Sequence, residues 1–259
     1  MEYIMQPLLK VNNVNKTYGK GTQVFKALQN ISFTVDEGEF IGVMGPSGAG
    51  KSTLLNVLAT IDNPTSGDIF IGSDNVAKMK DKALADFRRD HLGFIFQDYN
   101  LLDSLTVREN IVLPLAIAKT PVKEIDERVN RIAETFGIKD LLSKYPYQIS
   151  GGQKQRTASS RALVTTPKII FADEPTGALD SKSATDLLES LSRLNETEQS
   201  TIMMVTHDAY AASFCQRIIF IQDGKLSKEV MRGTQTRKQF FQQILQVLAS
   251  IGGEVNDVI

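Results

Sequence analysis

The chain has 259 residues, of which 42% are hydrophobic and 23% are charged. This composition excludes a disordered chain and leaves ample apolar material for a core. Lysine and arginine together number 29 and aspartate and glutamate 30, so the formal net charge is −1 and we expect no nucleic-acid partner. The single cysteine, Cys215, cannot form an internal disulfide, and we expect it to be a small buried residue.

The sequence lacks the signals of a membrane-inserted or secreted protein. No run of apolar residues approaches the ~18 that a transmembrane helix needs. The first ten residues do not place an apolar stretch behind a basic one, as a signal peptide does. We therefore expect a protein that is soluble or is held at a membrane by a partner.

Short apolar runs in the first part of the chain predict strands at 8–14, 31–35 and 40–44. The third strand leads into an octapeptide with the phosphate-loop pattern G-x-x-x-x-G-K-[ST], and a helix is predicted from 51 to about 60. The octapeptide is Gly45-Pro46-Ser47-Gly48-Ala49-Gly50-Lys51-Ser52. Its glycines let backbone N–H groups turn toward an anion, and the helix start adds the positive end of its dipole. We expect Lys51 to reach terminal phosphates and Ser52 to bind Mg²⁺.

The middle of the chain, from 98 to 165, is predicted to be mainly helical. Just before it, a strand at 92–96 ends at Gln97, whose amide we expect to contact Mg²⁺ or water. Apolar residues spaced three and four apart predict an amphipathic helix at 122–136. A second glycine-rich helix start, Ser150-Gly151-Gly152-Gln153, opens a helix to about 163. One nucleotide does not need two anion-binding helix starts, so this one predicts a head-to-tail pair of copies with two nucleotides in the interface.

Strand signals return at 168–172, 201–205 and 217–222, with helices between them. The dipeptide Asp223-Gly224 predicts a hairpin turn before a further strand at 226–231. Alternating strands and helices at both ends of the chain predict a mostly parallel sheet with covered faces, into which the helical segment is inserted. A last amphipathic helix at 237–251 is expected to pack on the protein's own core.

Polar residues follow two of these strands. The strand at 168–172 runs into Asp173 and Glu174, and the strand ends of an open parallel sheet face the ligand crevice. Asp173 suits the Mg²⁺ shell, directly or through water, and Glu174 is placed to take a proton from an attacking water. His207 follows the strand at 201–205, which favours a role in the site, whereas His91 is expected to be structural.

Taken in order, the phosphate loop, Gln97, the segment 150–153, the pair at 173–174, the tripeptide Ala178-Leu179-Asp180 and His207 resemble the ATP-binding subunits of ABC transporters over residues 8–233. The resemblance implies an α/β fold, a P-loop NTPase core with a mostly parallel sheet, an antiparallel β-subdomain and an inserted helical subdomain. The parts would be a nucleotide-binding core with the β-subdomain (1–97 and 166–233), a helical subdomain (98–165), and a C-terminal helix and tail (234–259).

The resemblance also implies ATP and Mg²⁺ as cofactors and assigns roles to residues. Glu174 would be the catalytic base and His207 the switch histidine, with Gln97 completing the catalytic set. The Mg²⁺ ligands would be Ser52, Gln97 and Asp173. The nucleotide contacts would be the adenine-stacking Tyr18, together with Gly45, Ser47, Gly48, Gly50, Lys51, Ser52, Thr53, Ser150, Gly151, Gly152, Gln153 and the dimer-contact residue Asp180. One departure is Ile149, where the family usually has leucine; both are apolar and similar in volume, so we expect little effect.

Within that family, the segments 94–102, 105–111 and 171–183 and the tail with Phe240-Phe241 and Gly252-Gly253 resemble ATPase subunits of bacitracin-type peptide-resistance transporters, in the macrolide-exporter and lipoprotein-release branch. This implies a head-to-tail homodimer with ATP at its interface, bound to a polytopic permease at the cytoplasmic face of a bacterial membrane. It also implies resistance to cell-wall-active peptides and a sensor kinase that acts through the permease.

Two other functions are open at this point. A soluble ABC ATPase acting on ribosomes or DNA repair usually carries two cassettes or a long coiled-coil insertion, and this chain has neither. A subunit of a lipoprotein-release, macrolide-export or divisome-type complex would carry the same motor residues. The sequence does not separate this last alternative from peptide resistance.

Overall fold

The computed structural model describes residues 7–21 and 23–251. The expectations for residues 1–6 and for Gly252-Gly253 lie outside these described residues. Within them, ten strands and eight α-helices follow one another as β1 (Leu9–Lys20), β2 (Gln23–Val35), β3 (Phe40–Met44), α1 (Lys51–Leu58), β4 (Ser66–Ile71), β5 (Asp74–Asn75), α2 (Asp81–His91), β6 (Leu92–Ile95), α3 (Val107–Ile117), α4 (Val122–Thr135), α5 (Gly151–Leu163), β7 (Ile169–Asp173), α6 (Ser181–Glu198), β8 (Thr201–Val205), α7 (Ala209–Ala212), β9 (Arg217–Gln222), β10 (Lys225–Met231) and α8 (Arg237–Ile251).

Six strands form the mostly parallel sheet that the sequence predicts. The strand order is β10-β9-β3-β8-β7-β6, and only the β9–β10 pair is antiparallel. Strands β3 and β8 are buried at every residue, which explains their unbroken apolar sequences. The β9–β10 hairpin turns at Asp223 and Gly224, and both have the positive φ that a tight hairpin turn requires. The predicted hairpin is confirmed.

A second sheet is antiparallel, has the order β2-β1-β4-β5, and matches the β-subdomain that the resemblance implies. Its first two strands form a hairpin of 12 and 13 residues, longer than the predicted strands at 8–14 and 31–35. The described residues near the tip, 19–21 and 23–26, are exposed, so this part of the hairpin has no apolar run to predict it. Helix α2 is not predicted either, because it is largely charged and buries only Leu84 and Phe87.

The two faces of the six-stranded sheet carry separate hydrophobic clusters. Successive residues of a strand point to opposite faces. Ile41 and Val43 therefore belong to the cluster with α1 and the antiparallel sheet, whereas Phe40 and Met44 belong to the cluster with helices α3 to α8. Cys215 lies in the second of these clusters and is fully buried, as expected, and its burial raises the pKa of the thiol.

The helices agree with the sequence patterns. Helix α4 confirms the amphipathic helix predicted at 122–136, and it ends one residue earlier. Helix α8 buries Phe240, Ile244 and Val247 in the core, which confirms that it packs on its own chain. Among the described residues, no helix has the length and apolar character needed to cross a bilayer. The division of the chain into three parts remains a prediction.

Candidate functional site

The phosphate-binding loop connects β3 with α1, at the edge of the parallel sheet where β7 and β8 also end. Gly50 is the residue before α1, and its φ of 103° lies in a region that side chains disfavour. A Cβ on Gly50 would lie 2.6 Å from the backbone oxygen of Ala27. The loop can therefore take this path only with glycine at this position, and it leaves Pro46, Ser47 and Gly48 exposed ahead of the helix start.

Lys51 is buried at the start of α1, and its ammonium group points back into the loop. Its Nζ donates hydrogen bonds to the backbone oxygens of Gly45 and Pro46, each at 2.9 Å. Burial lowers the pKa of Lys51, and the nearby carboxylates of Glu174 and Asp173 oppose this shift. The loop thus holds a cation beside the helix start, where an anionic ligand would gain from both.

Two side chains whose oxygen atoms could bind a metal ion meet next to this lysine. The Ser52 hydroxyl donates to Oδ1 of Asp173 at 3.4 Å, which joins the start of α1 to the end of β7. Burial raises the pKa of Asp173, and the hydrogen bond from Ser52 and the charge of Lys51 oppose that rise. Hydroxyl and carboxylate oxygens are hard ligands that suit Mg²⁺, which usually takes one or two protein carboxylates plus substrate phosphates. The pair therefore fits the expected metal.

Gln97 lies beside the turn that follows Glu174. No hydrogen bond among the described residues joins it to Ser52 or Asp173, whereas a Cβ on Gly177 would lie 3.1 Å from its Nε2. Gly177 belongs to the turn that follows Glu174, since its N–H donates to the Glu174 oxygen at 3.0 Å. The structure thus brings Gln97 next to the loop of the expected base, and its role as a metal ligand remains a prediction.

Glu174 and His207 face one another at the ends of β7 and β8. Nδ1 of His207 lies 2.8 Å from Oε2 of Glu174, and the two side chains are 68% and 21% exposed. Glu174 has a φ of 43°, which is uncommon for a residue with a side chain, and it precedes Pro175, which restricts it further. Such a conformation persists only where surrounding contacts hold it, and it is frequent at functional sites.

The phosphate-binding loop, Glu174 and His207 line one cavity of about 630 Å³. Its polar wall contains Lys51, Glu174 and His207, together with residues 45–47 of the loop. Its apolar wall is formed by Leu248 and Ile251 of α8, which the sequence analysis did not assign to the site. The only local signal is that α8 has more apolar residues than the three it buries.

Tyr18 lies on β1 of the antiparallel sheet, is 41% exposed and does not line this cavity. Its hydroxyl donates to Oδ2 of Asp62 at 2.8 Å, and Nζ of Lys16 lies 4.8 Å from the centre of its ring. Burial and Asp62 together raise the pKa of Tyr18. Lys16 and Asp62 were not assigned to the site from sequence.

The segment 150–153 begins α5. Ser150 and Gln153 form a capping box, in which Ser150 Oγ accepts from the Gln153 N–H at 3.3 Å and Gln153 Oε1 accepts from the Ser150 N–H at 2.9 Å. Asp180 begins α6 in the same way, because its carboxylate accepts from the N–H and the hydroxyl of Ser183. These two bonds lower the pKa of Asp180. None of residues 150–153 lines the cavity beside the phosphate loop.

The two helix starts pack against each other within one chain. A Cβ on Gly152 would lie 2.6 Å from Cβ of Ser183, so Gly152 is needed for the contact between α5 and α6. Gly151 in turn faces the hydroxyl of Tyr99, 3.0 Å from where its Cβ would be. Further along α5, Arg161 donates to the backbone oxygens of Tyr99 and Asn100. Helix α5 thus anchors the loop after Gln97, a function that the motif alone does not indicate.

Comparison with known proteins agrees with this geometry. Residues 28–177 match the family model described as ABC transporter. The chain is 51% identical to the ABC transporter ATP-binding protein YxdL of Bacillus subtilis (98% of both chains). It is also 51% identical to the bacitracin export ATP-binding protein BceA of Halalkalibacterium halodurans (96% of this chain, 99% of the relative).

Solved structures show the same fold. The cassette MJ0796 of Methanocaldococcus jannaschii, described as dimeric and bound to ADP and phosphate after hydrolysis, has a TM-score of 0.79 at 40% identity, over 86% of this chain and 98% of its own. CbiO1 of Clostridium perfringens has a TM-score of 0.81 at 27% identity, over 94% and 95%. The chain belongs to the ATP-binding subunits of the ABC transporter family, and it is an ATPase with the α/β fold of that family.

Proposed function

We propose that this chain is the ATP-hydrolysing motor subunit of a bacterial membrane transporter that confers resistance to cell-wall-active peptides of the bacitracin and lantibiotic type. The observation that carries the motor role is the cavity that joins the phosphate loop with Glu174 and His207. The peptide class is supported by the near full-length similarity to a bacitracin export protein.

Within this proposal each polar group has a distinct task. Glu174 takes the proton from the attacking water, and His207 orients Glu174 through the 2.8 Å contact. Tyr18 stacks on adenine, while residues 45–53 hold the phosphates through backbone N–H groups and Lys51. Ser52 and Asp173, with Gln97, would hold Mg²⁺, which would supply positive charge next to the phosphates.

The site of one chain is incomplete in this proposal, and a second copy completes it. Ser150 is exposed at the N-terminus of a 13-residue helix, a position that favours an anion. It lies outside the cavity of its own chain, so we propose that it meets the nucleotide of a partner in a head-to-tail homodimer. The dimeric state described for MJ0796 supports this arrangement.

The permease is proposed to bind at a groove beside the edge strand β6. The groove, of about 370 Å³, lies between β6, α2, α3 and α5. Its apolar lining includes Phe94, Phe96 and Ile117, and its charged lining includes Arg88 and Arg161. Ile117 is 58% exposed, which suits a cytoplasmic permease segment with apolar and acidic residues. This binding would hold the subunit at the cytoplasmic face of the membrane, and a sensor kinase that acts through the permease is an expectation of the resemblance alone.

The test is genetic. Chromosomal Glu174→Gln and Ile117→Asp variants are made in the bacterium that encodes the chain, and growth is measured against bacitracin, nisin and erythromycin. We expect both to become sensitive to a peptide, and only Ile117→Asp to keep ATP hydrolysis as a purified protein. Unchanged peptide sensitivity in both would refute the resistance function. Sensitivity to erythromycin alone, or a division defect, would instead support the macrolide-export or divisome alternative.

A further inference from the structure

Gln155 of α5 connects the two loops that carry Gln97 and Glu174. Its side chain is fully buried, and its Nε2 donates to the backbone oxygen of Phe96 at 3.1 Å and to that of Pro175 at 2.8 Å. Phe96 immediately precedes Gln97, and Pro175 immediately follows Glu174. One amide group therefore ties helix α5 to the two residues that flank the expected catalytic groups.

The contact with Pro175 coincides with the strained backbone of Glu174. The conformation at Glu174, with φ of 43°, is held by three hydrogen bonds around it. Its own N–H donates to the oxygen of Val205, the N–H of Gly177 donates to the oxygen of Glu174, and Gln155 holds the oxygen of Pro175. Only the Gly177 bond is local; the bond to Val205 comes from the end of β8, and the bond from Gln155 is the one of the three that a side chain supplies.

The stability of α5 does not explain why this position is a glutamine. Oε1 of Gln155 is buried and has no hydrogen-bond partner among the described residues. A buried acceptor without a partner is unfavourable, and a residue without such an acceptor would avoid that cost. The two bonds that the amide donates offset this cost, which points to what those bonds do for the loops.

We propose that Gln155 is a positioning residue for ATP hydrolysis. By holding the Pro175 oxygen it keeps the Glu174 carboxylate where it can accept a proton, and by holding the Phe96 oxygen it keeps the end of β6 in register with that loop. A shift of about 1 Å at a catalytic group lowers a rate by up to about 100-fold. We therefore expect loss of both bonds to lower turnover about 10- to 100-fold without weakening ATP binding.

The experiment compares Gln155→Met with Ser159→Ala in the purified full chain. Methionine has a similar size and no donor, whereas Ser159 is equally buried on α5 and its Oγ has no partner among the described residues. We expect Gln155→Met to lower kcat and to leave the KM for ATP and ATP binding within about twofold. Its melting temperature should fall below that of Ser159→Ala, because the backbone oxygens of Phe96 and Pro175 lose a donor, and kcat is therefore compared at a temperature where both variants are folded. Unchanged kcat in Gln155→Met would overturn the proposal.

A double-mutant cycle separates positioning from damage to the fold. The same two substitutions are introduced into a Glu174→Gln chain, and its residual single-turnover hydrolysis and ATP-bound dimer are measured. If Gln155 acts by orienting the base, Gln155→Met has no further effect once the base is absent. An equal loss in both backgrounds, or loss of the ATP-bound dimer, would show that Gln155 only maintains the fold and would overturn the proposal.

Discussion

Ser150→Asp is a direct test of whether α5 binds the nucleotide of a partner chain. Within its own chain, Ser150 uses Oγ to accept from the Gln153 N–H, and aspartate serves this capping role as well as serine. The first turn of α5 has no acidic residue, so the new carboxylate meets no like charge there and gains from the helix dipole. We expect the isolated subunit to keep its stability within about 0.5 kcal/mol.

Between chains the same carboxylate would face a terminal phosphate. Two unit charges about 4 Å apart repel by about 4 kcal/mol at the effective dielectric constant of a protein surface. Because about 1.4 kcal/mol corresponds to a factor of ten, each site should weaken ATP-dependent dimerisation by about 100- to 1,000-fold, and the homodimer contains two such sites, so we expect a loss of at least that size. Ser150→Asn is the matched control, since asparagine caps helices equally well and carries no charge.

The assay is the ATP-bound dimer of Glu174→Gln chains, measured by sedimentation with and without each substitution at position 150. Nucleotide affinity of the monomer is titrated in parallel, and it should be unchanged in both variants. Equal dimerisation of Ser150→Asp and Ser150→Asn would refute the head-to-tail arrangement. In that arrangement the carboxylate at position 150 would lie beside the partner's phosphate, and the two charges would repel.

Three further outcomes follow from the geometry of the site. Glu174→Gln should keep ATP affinity and lower turnover roughly 10²- to 10⁴-fold, because the amide cannot accept a proton, and more than a tenth of the original turnover would remove Glu174 from that role. Lys51→Ala should weaken nucleotide binding by about 1.5–3 kcal/mol, as loss of a charge-assisted contact predicts, which a titration with a fluorescent ATP analogue measures. Gly152→Ala should destabilise the isolated subunit by about 1–3 kcal/mol in urea denaturation, because its Cβ would lie 2.6 Å from Cβ of Ser183, and Ser183→Gly in the same chain should restore part of that loss. A Gly152→Ala chain as stable as the original would contradict the packing of α5 on α6.

Sequence patterns predict best the elements that are buried on both faces or that carry a marked end. Strands β3, β8 and β9 and helices α5 and α8 have the predicted bounds. Their apolar runs are continuous or strictly periodic, and α5 begins at a capping box. Helix α2 and strands β4 and β5 lack such signals, because polar residues cover most of their surface. Local composition therefore predicts elements that are buried, and it predicts partly buried elements poorly.

The site shows the same limit in another form. The motif residues that follow β3, β7 and β8 could be placed together from sequence, because parallel strands end at one edge of a sheet. Contacts between distant segments could not be predicted from sequence. They are the hydrogen bond between Tyr18 and Asp62, the position of the last turn of α8 in the cavity wall, and the hydrogen bonds from Gln155 to two backbone oxygens. Each depends on the relative placement of whole elements, which no short window of residues encodes.

Gly152 is a residue of the segment 150–153 whose structural role depends on a contact with a distant segment. From sequence, Gly152 belongs to a glycine-rich helix start that is predicted to bind the nucleotide of a second copy. In the structure, the space that a Cβ would need is already occupied by Ser183 of the same chain. A charged residue at 152 would therefore damage the subunit itself before any partner arrives, so its effect on turnover carries no information about the interface. Ser150 differs from Gly152 because its side chain is exposed and because aspartate can replace it as the helix cap. A substitution at Ser150 can therefore change binding to the partner chain without damaging the subunit itself.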